Sequence, residues 1–319
     1  MTVKSIAAAT PPPVSGSAAA GAGRSGGDTV PFPVIVGCPR SGTSLLAVML
    51  DSHPAFAMPP ETAFLKHVAK LDRTPDAARR RFVDIVTADR TPISNWSDFG
   101  LDRQAFAERI AAITPFTPAA GARVFYAMYA ENEKKPRSGE KTPDNIFAMR
   151  EIAALLPEAH FIHVIRDPRD TALSWRKTWF APSQDYAVLG RAWRHHVEVG
   201  RAAGATLPNY IETRYEDLVL RPSQALPPLC EFLGVPYSPA MVDTAAQGAA
   251  RIARLQARMH VSGRLISRED RTSIHTNLAR PPLPDRVGVW RREMSAADRE
   301  AVEQGAAPLL EALGYAGAD

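Results

Sequence analysis

Cysteine is scarce in this chain. Cys38 and Cys230 are the only two among 319 residues, too few for a disulfide framework. Neither sits in a CxxC or Cys/His spacing that would hold zinc. Such usage fits a reducing compartment. Long apolar runs are missing as well, and no stretch reaches the ~18 residues that a membrane span requires. Near the start, only Ile6 to Thr10 lies between Lys4 and Pro11, Pro12 and Pro13, too short and broken for the apolar region of a signal peptide. A cytoplasmic location is therefore expected. There is no strong charge of one sign either. The 38 basic and 34 acidic residues leave +4, which does not argue for nucleic-acid binding and suits an anionic ligand equally well. No internal repeat is visible.

What remains is an ordinary globular composition, 45% hydrophobic and 23% charged, in a chain long enough to bury a sizeable core. Residues 1–30 are rich in Ala, Gly, Ser and Pro and cannot bury enough surface to offset ordering entropy, so they read as a disordered tail. Residues 31–319 read as one domain. Phe32 to Val36, ending at Gly37, has the pattern of a buried strand. Thr43 to Asp51 reads as a helix. Further helices are expected over Asp102 to Ile113, Arg123 to Lys134, Asp144 to Leu156, Asp185 to Ala205, Pro222 to Leu233 and Ser295 to Leu313. Phe161 to Ile165 and Tyr210 to Arg214 are strand candidates, and Ala55 to Met58 is strand-like. Strands alternating with helices predict an α/β fold of three layers, like that of P-loop nucleotide-binding proteins, with a central parallel sheet flanked by helices.

The segment Gly37-Cys38-Pro39-Arg40-Ser41-Gly42-Thr43-Ser44 has the frame of a P-loop with Thr43 at the lysine position. Its physics survives that change. Glycines let the backbone wrap an anion, and the following helix offers unpaired N–H groups with a favourable dipole. Ser41, Thr43 and Ser44 add hydroxyls, and Arg40 adds a forked positive charge. A plain Ser-Gly turn joining strand to helix is the structural alternative. Without the lysine that contacts β- and γ-phosphates, an ATP-dependent P-loop kinase of a small molecule is the lesser reading. A nucleotide-binding regulator that has lost its chemistry is a third.

The run Val34 to Leu46, with Met49-Leu50-Asp51-Ser52-His53-Pro54 after it, resembles the 5′-phosphosulfate loop of sulfotransferases that use 3′-phosphoadenosine 5′-phosphosulfate (PAPS). It is closest to the branch of tyrosylprotein sulfotransferases and bacterial small-molecule enzymes. His163 to Trp175 resembles the family's 3′-phosphate motif, in which Arg166 and Ser174 take the grip. As bare sequence, Arg166 could instead pair with Asp167 or Asp170 on the surface. The resemblance implies a PAPS-dependent sulfotransferase acting on a hydroxyl-bearing acceptor, which could be a small molecule, a carbohydrate, a lipid or a peptide tyrosine. No metal and no nucleic acid are expected, because the candidate sites show no carboxylate cluster for magnesium and the net charge is small.

The same resemblance makes Glu61, in Pro59-Pro60-Glu61-Thr62, the general base, although a glutamate near a helix start is favourable anyway. His53 is the competing base, and His163 reads as a core histidine. Lys141, in Gly139-Glu140-Lys141-Thr142-Pro143, takes the part of stabilising the leaving phosphate together with Arg40. Tyr215, in Arg214-Tyr215-Glu216-Asp217-Leu218, contacts the nucleotide or plugs the core. In Arg286 to Arg292, Val289 replaces a lysine common in that branch, and Arg286, Arg291 or Arg292 could supply its charge. Ser273, beside Thr272, matches a serine that completes the sulfate site. The resemblance spans about Phe32 to Tyr315. Residues 65–136 carry no recognised motif, and their aromatics, Trp96, Phe99, Phe106, Phe116, Phe125, Tyr126 and Tyr129, could line an acceptor pocket or form core.

Overall fold

A computed structural model describes residues 30–71 and 75–317; nearly all of the expected disordered tail, residues 1–29, lies outside them. The central sheet has four strands, β1 (Phe32–Gly37), β2 (Glu140–Lys141), β3 (Ala159–Ile165) and β4 (Tyr210–Arg214), in the order β2-β1-β3-β4. All pairs are parallel. Ile35 lies opposite Lys141, Val36 opposite His163 and Ile165 opposite Arg214. Because the strands run the same way, Gly37, Lys141, Arg166 and Tyr215 all emerge at one edge, where ligands of open α/β sheets bind.

The alternation of side chains splits the core into two faces. Val34, Val36 and Phe161 turn into one cluster, and Ile35, Ile162 and Val164 into another with Leu46, Met49, Leu218 and Leu229. Helix α1 (Thr43–Ser52) leaves β1 directly after the loop. Helix α2 (Pro118–Asn132) starts at an N-cap in which Thr117 accepts from Ala120 N, with Pro118 at its first position. After β3, helix α3 (Pro168–Arg176) is capped by Asp167, and α4 (Tyr186–Gly204) by Asp185. Ile165, Trp193 and Val302 join these two helices and α6 (Ala296–Ala306) in a third cluster; α5 (Ala245–Arg254) precedes α6. Among the described residues no helix is long and apolar enough to cross a membrane.

Some elements differ from expectation, among them the helix expected from Arg123, which already begins at Pro118. The segment expected to be helical from Asp144 is a 3-10 turn, Pro143–Ala148, before the α-helix Met149–Leu155; Asn145 is drawn down to the buried Glu140 carboxylate at 3.2 Å. The last helix stops at Ala306 and resumes only over Leu309–Ala312, because Pro308 has no N–H to continue the ladder. A helix, Tyr215–Leu220, stands where none was expected.

The aromatics of residues 65–136 are core. Trp96, Phe99, Phe106, Phe116, Phe125, Tyr126 and Tyr129 are all buried in the first cluster, with edge-on pairs such as Phe64–Phe125 at 4.8 Å. That stretch instead contributes Lys66, Thr91, Pro92 and Asn95 to the lining of the larger cavity described below.

Candidate active site

The loop between β1 and α1 is built on two left-handed residues, Arg40 at φ 71° and Gly42 at φ 94°. A non-glycine residue in that region is uncommon and held there by its surroundings. Arg40 is fixed by its side chain, with Nε donating to Ser174 Oγ at 3.2 Å and Nη2 to the Ile274 carbonyl at 3.0 Å. Gly42 is required by contact as well as by φ, since a Cβ there would lie 2.3 Å from the Tyr215 ring. Beyond it, the first turn of α1 offers N–H groups without intrahelical partners.

Arg166, just past β3, is stretched across this loop. Its Nη1 donates to the Arg40 carbonyl at 3.2 Å and its Nη2 to the Arg286 carbonyl at 2.7 Å, and its guanidinium lies 4.2 Å from the Tyr215 ring centre. It also pairs with Asp170 at 3.7 Å, whereas Asp167 pairs with Arg169. Asp170 in turn accepts from the N–H groups of Gly288 and Trp290, pinning the C-terminal segment over the loop. Together Arg40, Thr43, Ser44, Arg166, Ser174 and Arg286 bound a cavity of about 170 Å³. Burial, and then the nearby Arg166 charge, press the Arg40 pKa down to about 10 against the pull of Glu61 and Tyr215. Two guanidinium groups this close favour an anion between them.

A second cavity of about 330 Å³ shares Arg40, Thr43, Ser44 and His275 with the first. On its floor Lys141, almost wholly buried, donates to Ser44 Oγ at 3.2 Å and to the Glu61 carboxylate. The preceding residue explains this placement. The Glu140 carboxylate accepts from Thr62 (2.6 Å), Tyr126 (2.7 Å) and Thr142 (2.5 Å), and Thr142 Oγ1 accepts from Ala63 N at 3.1 Å. The Pro59–Ala63 stretch and strand β2 are thereby tied together. Arg251 donates to the carbonyls of Met58 and Pro59, and Asn95 to that of Glu61 at 2.6 Å. Burial alone would raise the Glu61 pKa, but the charge and hydrogen bond of Lys141, with His275 and Arg258 beyond, hold it at about 2. His275 is pressed down to about 3 by burial and then by Lys141 and Arg40, so its ring is neutral.

The structure thus brings together Arg40, Gly42, Thr43, Ser44, Glu61, Lys141, Arg166, Ser174 and Tyr215. It does not bring in Ser273, which is exposed and donates to the Asp270 carbonyl at 2.9 Å; Ile274 and His275 reach the cavities instead. Ser41 also departs from expectation, because its hydroxyl is fully buried beneath the loop and lines neither cavity. Of the three C-terminal arginines, Arg286 lines the first cavity, while Arg292 donates to the Asp285 carbonyl and Arg291 lies 4.6 Å from the Trp290 ring centre. The competing base His53 has both ring nitrogens engaged, with Pro236 O and Ala55 N, away from both cavities. His163 is wholly buried, its Nδ1 at 2.7 Å from Tyr210 Oη. Sequence reasoning missed His275 and Arg258, which lie in or beside short elements without a periodic signal, and Arg251, which the amphipathic helix α5 carries inward.

A parallel sheet with an anion loop at its carboxyl edge, faced by a second arginine from the neighbouring strand, defines a P-loop-like α/β protein built for an anionic ligand. The model of the sulfotransferase family matches residues 31–239, and the chain belongs to that family. It is 26% identical over 217 residues to protein-tyrosine sulfotransferase A of Caenorhabditis elegans, covering 66% of this chain and 51% of that protein. It is 25% identical over 222 residues to protein-tyrosine sulfotransferase 1 of Danio rerio, covering 67% and 56%. The chain spans about half the length of these curated relatives. The sulfotransferase domain of the Synechococcus PCC 7002 olefin synthase shares the fold, with TM-score 0.57 and 22% identity over 89% of this chain and 94% of that one.

Proposed function

We propose that this protein transfers a sulfuryl group from PAPS to an acceptor hydroxyl. The observation that carries the reading is the convergence of Arg40, Arg166 and Ser174 on one cavity that opens, past Ser44 and His275, onto the Glu61–Lys141 pair. The residues fit a bisphosphate. Arg166 Nε is buried without a hydrogen-bond partner, and a phosphate supplies the missing acceptor. Arg166 and Ser174 are assigned the 3′-phosphate. Arg40 and the Gly42–Ser44 backbone are assigned the 5′ end, and Tyr215 a wall of the nucleotide site. PAPS supplies a sulfuryl group on an activated phosphate.

The transfer is an in-line displacement. A bond forms between the acceptor oxygen and sulfur while the bond from sulfur to the 5′-phosphate oxygen breaks. The electron pair stays on that phosphate oxygen, beside the charges of Lys141 and Arg40. The acceptor proton passes to the Glu61 carboxylate. Glu61 is a weak base while Lys141 holds it. As Lys141 turns to the leaving phosphate, the strongest charge holding Glu61 ionised is withdrawn, which favours protonation. The protein-tyrosine sulfotransferase relatives support a hydroxyl acceptor of the tyrosine kind.

Mass spectrometry after incubation with PAPS and an acceptor panel tests the activity through an added sulfate. Thermal shift with the product nucleotide, 3′-phosphoadenosine 5′-phosphate (PAP), against ATP with Mg²⁺ tests the donor; preferential stabilisation by ATP overturns it. Glu61→Gln is expected to slow kcat by roughly 10²–10⁴ while sparing PAP affinity, and retained turnover moves the base elsewhere.

A further inference from the structure

The wall of the larger cavity carries a guanidinium with two buried N–H groups that find no hydrogen-bond acceptor among the described residues. Arg258 begins a short strand, Arg258–His260, held on both sides by Asp89–Thr91 and Leu265–Ile266, so it stands on a rigid element. Its side chain is 10% exposed, and the buried Nε and Nη1 have no hydrogen-bond partner among the described residues. The carboxylate nearest to it in the ion-pair geometry is Asp98, at 3.9 Å. Asp98 is already taken, since Arg271 grips both of its oxygens and Gln256 N donates to Oδ1 at 2.9 Å. Burial, followed by repulsion from Arg271, presses the Arg258 pKa down to about 10.

The neighbouring cations are accounted for differently. Lys66 faces Asp144 at 3.8 Å, Arg251 is absorbed by two backbone carbonyls, and Lys141 holds Glu61. On the same wall Trp179 buries an indole N–H that also lacks an acceptor. Asn95 Oδ1 is the one orphan of opposite kind there. A neutral oxygen would satisfy the indole. A buried guanidinium whose N–H groups are unmet, and whose nearby carboxylates are already held by other cations, Asp98 by Arg271 and Glu61 by Lys141, calls for an anion of its own, because buried donors and charges are costly unless hydrogen-bonded. Arg258, Arg271 and His275 all lie beyond residue 239, where the family match ends.

Resting on the sulfotransferase reading, we propose that the acceptor is a small hydroxy compound that also bears an oxyanion, a carboxylate, phosphate or sulfate, which Arg258 binds. A cavity of about 330 Å³ is of small-molecule size. The planar fork of Arg258 suits a two-oxygen anion and gives the acceptor a fixed point from which its hydroxyl is aimed at Glu61.

Calorimetric titration of the wild-type protein, with and without saturating PAP, compares para-hydroxyphenylacetate, para-hydroxyphenyl phosphate and the methyl ester of the first. The acids are expected to bind about tenfold or more tightly than the ester. Arg258→Gln is expected to bring acid and ester within about twofold, and Arg258→Lys to restore part of the gap. PAP affinity and melting temperature show that the variants are folded. Acid and ester that bind alike to the wild type, at whatever strength, overturn the proposal, as does a gap that Arg258→Gln leaves intact. A tyrosine peptide with acidic flanks that binds while small acid and ester bind alike assigns the cations to a peptide and overturns the small-molecule class. Failure of PAP itself to bind counts against the donor reading alone, because acid and ester are also compared without it.

Discussion

Arg166 Nη1 donates to the carbonyl oxygen of Arg40 at 3.2 Å, so the residue that follows β3 holds the backbone of the loop that follows β1. The two anion grips are one unit rather than two neighbours. The same guanidinium supports the Arg286 carbonyl and covers Tyr215. Removing it exposes the loop and withdraws a charge.

Arg166→Met is therefore expected to weaken PAP by well over tenfold, the scale of a lost charge-assisted phosphate contact. Adenosine 5′-monophosphate, which lacks the 3′-phosphate, is expected to lose much less. Calorimetry with both nucleotides checks this. Equal losses for the two would show that Arg166 acts only by shaping the loop.

Gly42→Ala tests the loop from its other side. At φ 94° a side chain is strained, and its Cβ would meet the Tyr215 ring at 2.3 Å. A cost of about 1–3 kcal/mol is expected from the backbone alone, read as a lowered urea midpoint with reduced PAP affinity. Adding Tyr215→Ala removes the clash but not the φ strain, so only partial recovery of the midpoint is expected.

The fold was legible where its signals are local. A strand, a glycine-bearing loop and a helix lie consecutively over residues 32–52, and Arg166 stands at the end of a plainly apolar strand. Lys141 was legible only through resemblance, since a two-residue strand has no periodicity to read. The buried placement of the Ser41 hydroxyl was not legible, because the side chains of a loop are aimed by its backbone, and the positive φ of Arg40 is invisible in composition. Phe99 and Phe125 could not be assigned beforehand, because an aromatic ring suits a pocket and a core equally. His275 was missed for a different reason. It reaches the cavities through a C-terminal segment of short turns folded back over the loop, where Thr272 and Ser273 drew notice for their hydroxyls.

His275 makes a prediction with a definite sign. Its folded pKa, about 3, lies below its ordinary 6.5, so between those values the unfolded chain binds the proton and the folded protein does not. The stability it contributes is complete above pH 6.5 and declines as pH falls toward 3. Wild-type melting temperature is expected to fall across that window more steeply than that of His275→Gln. His163, pressed by burial to about 4, adds a slope of the same sign to both proteins, so only their difference is diagnostic. Parallel melting curves from pH 7 to 4 would place His275 in a wetter setting than its burial implies.

Lys141→Met separates the two roles of the Glu61–Lys141 pair. In the wild type the Glu61 pKa of about 2 keeps the carboxylate ionised throughout the working range, so no acid limb of kcat/KM in the nucleotide-free enzyme arises from Glu61 at pH 5 or above. Without Lys141 the strongest opposing charge is gone, and desolvation, the largest influence on this carboxylate, works against only the weaker pull of His275 and Arg258; the carboxylate is then expected to titrate above its ordinary 4.5. The loss of leaving-group stabilisation is expected to lower kcat by roughly 10²–10³. The residual kcat/KM is expected to fall as pH drops through the raised Glu61 value, a limb absent from the wild type. Glu61→Gln in the same background is expected to abolish that limb. A Lys141→Met profile that stays flat down to pH 4 would mean that Glu61 does not take the acceptor proton.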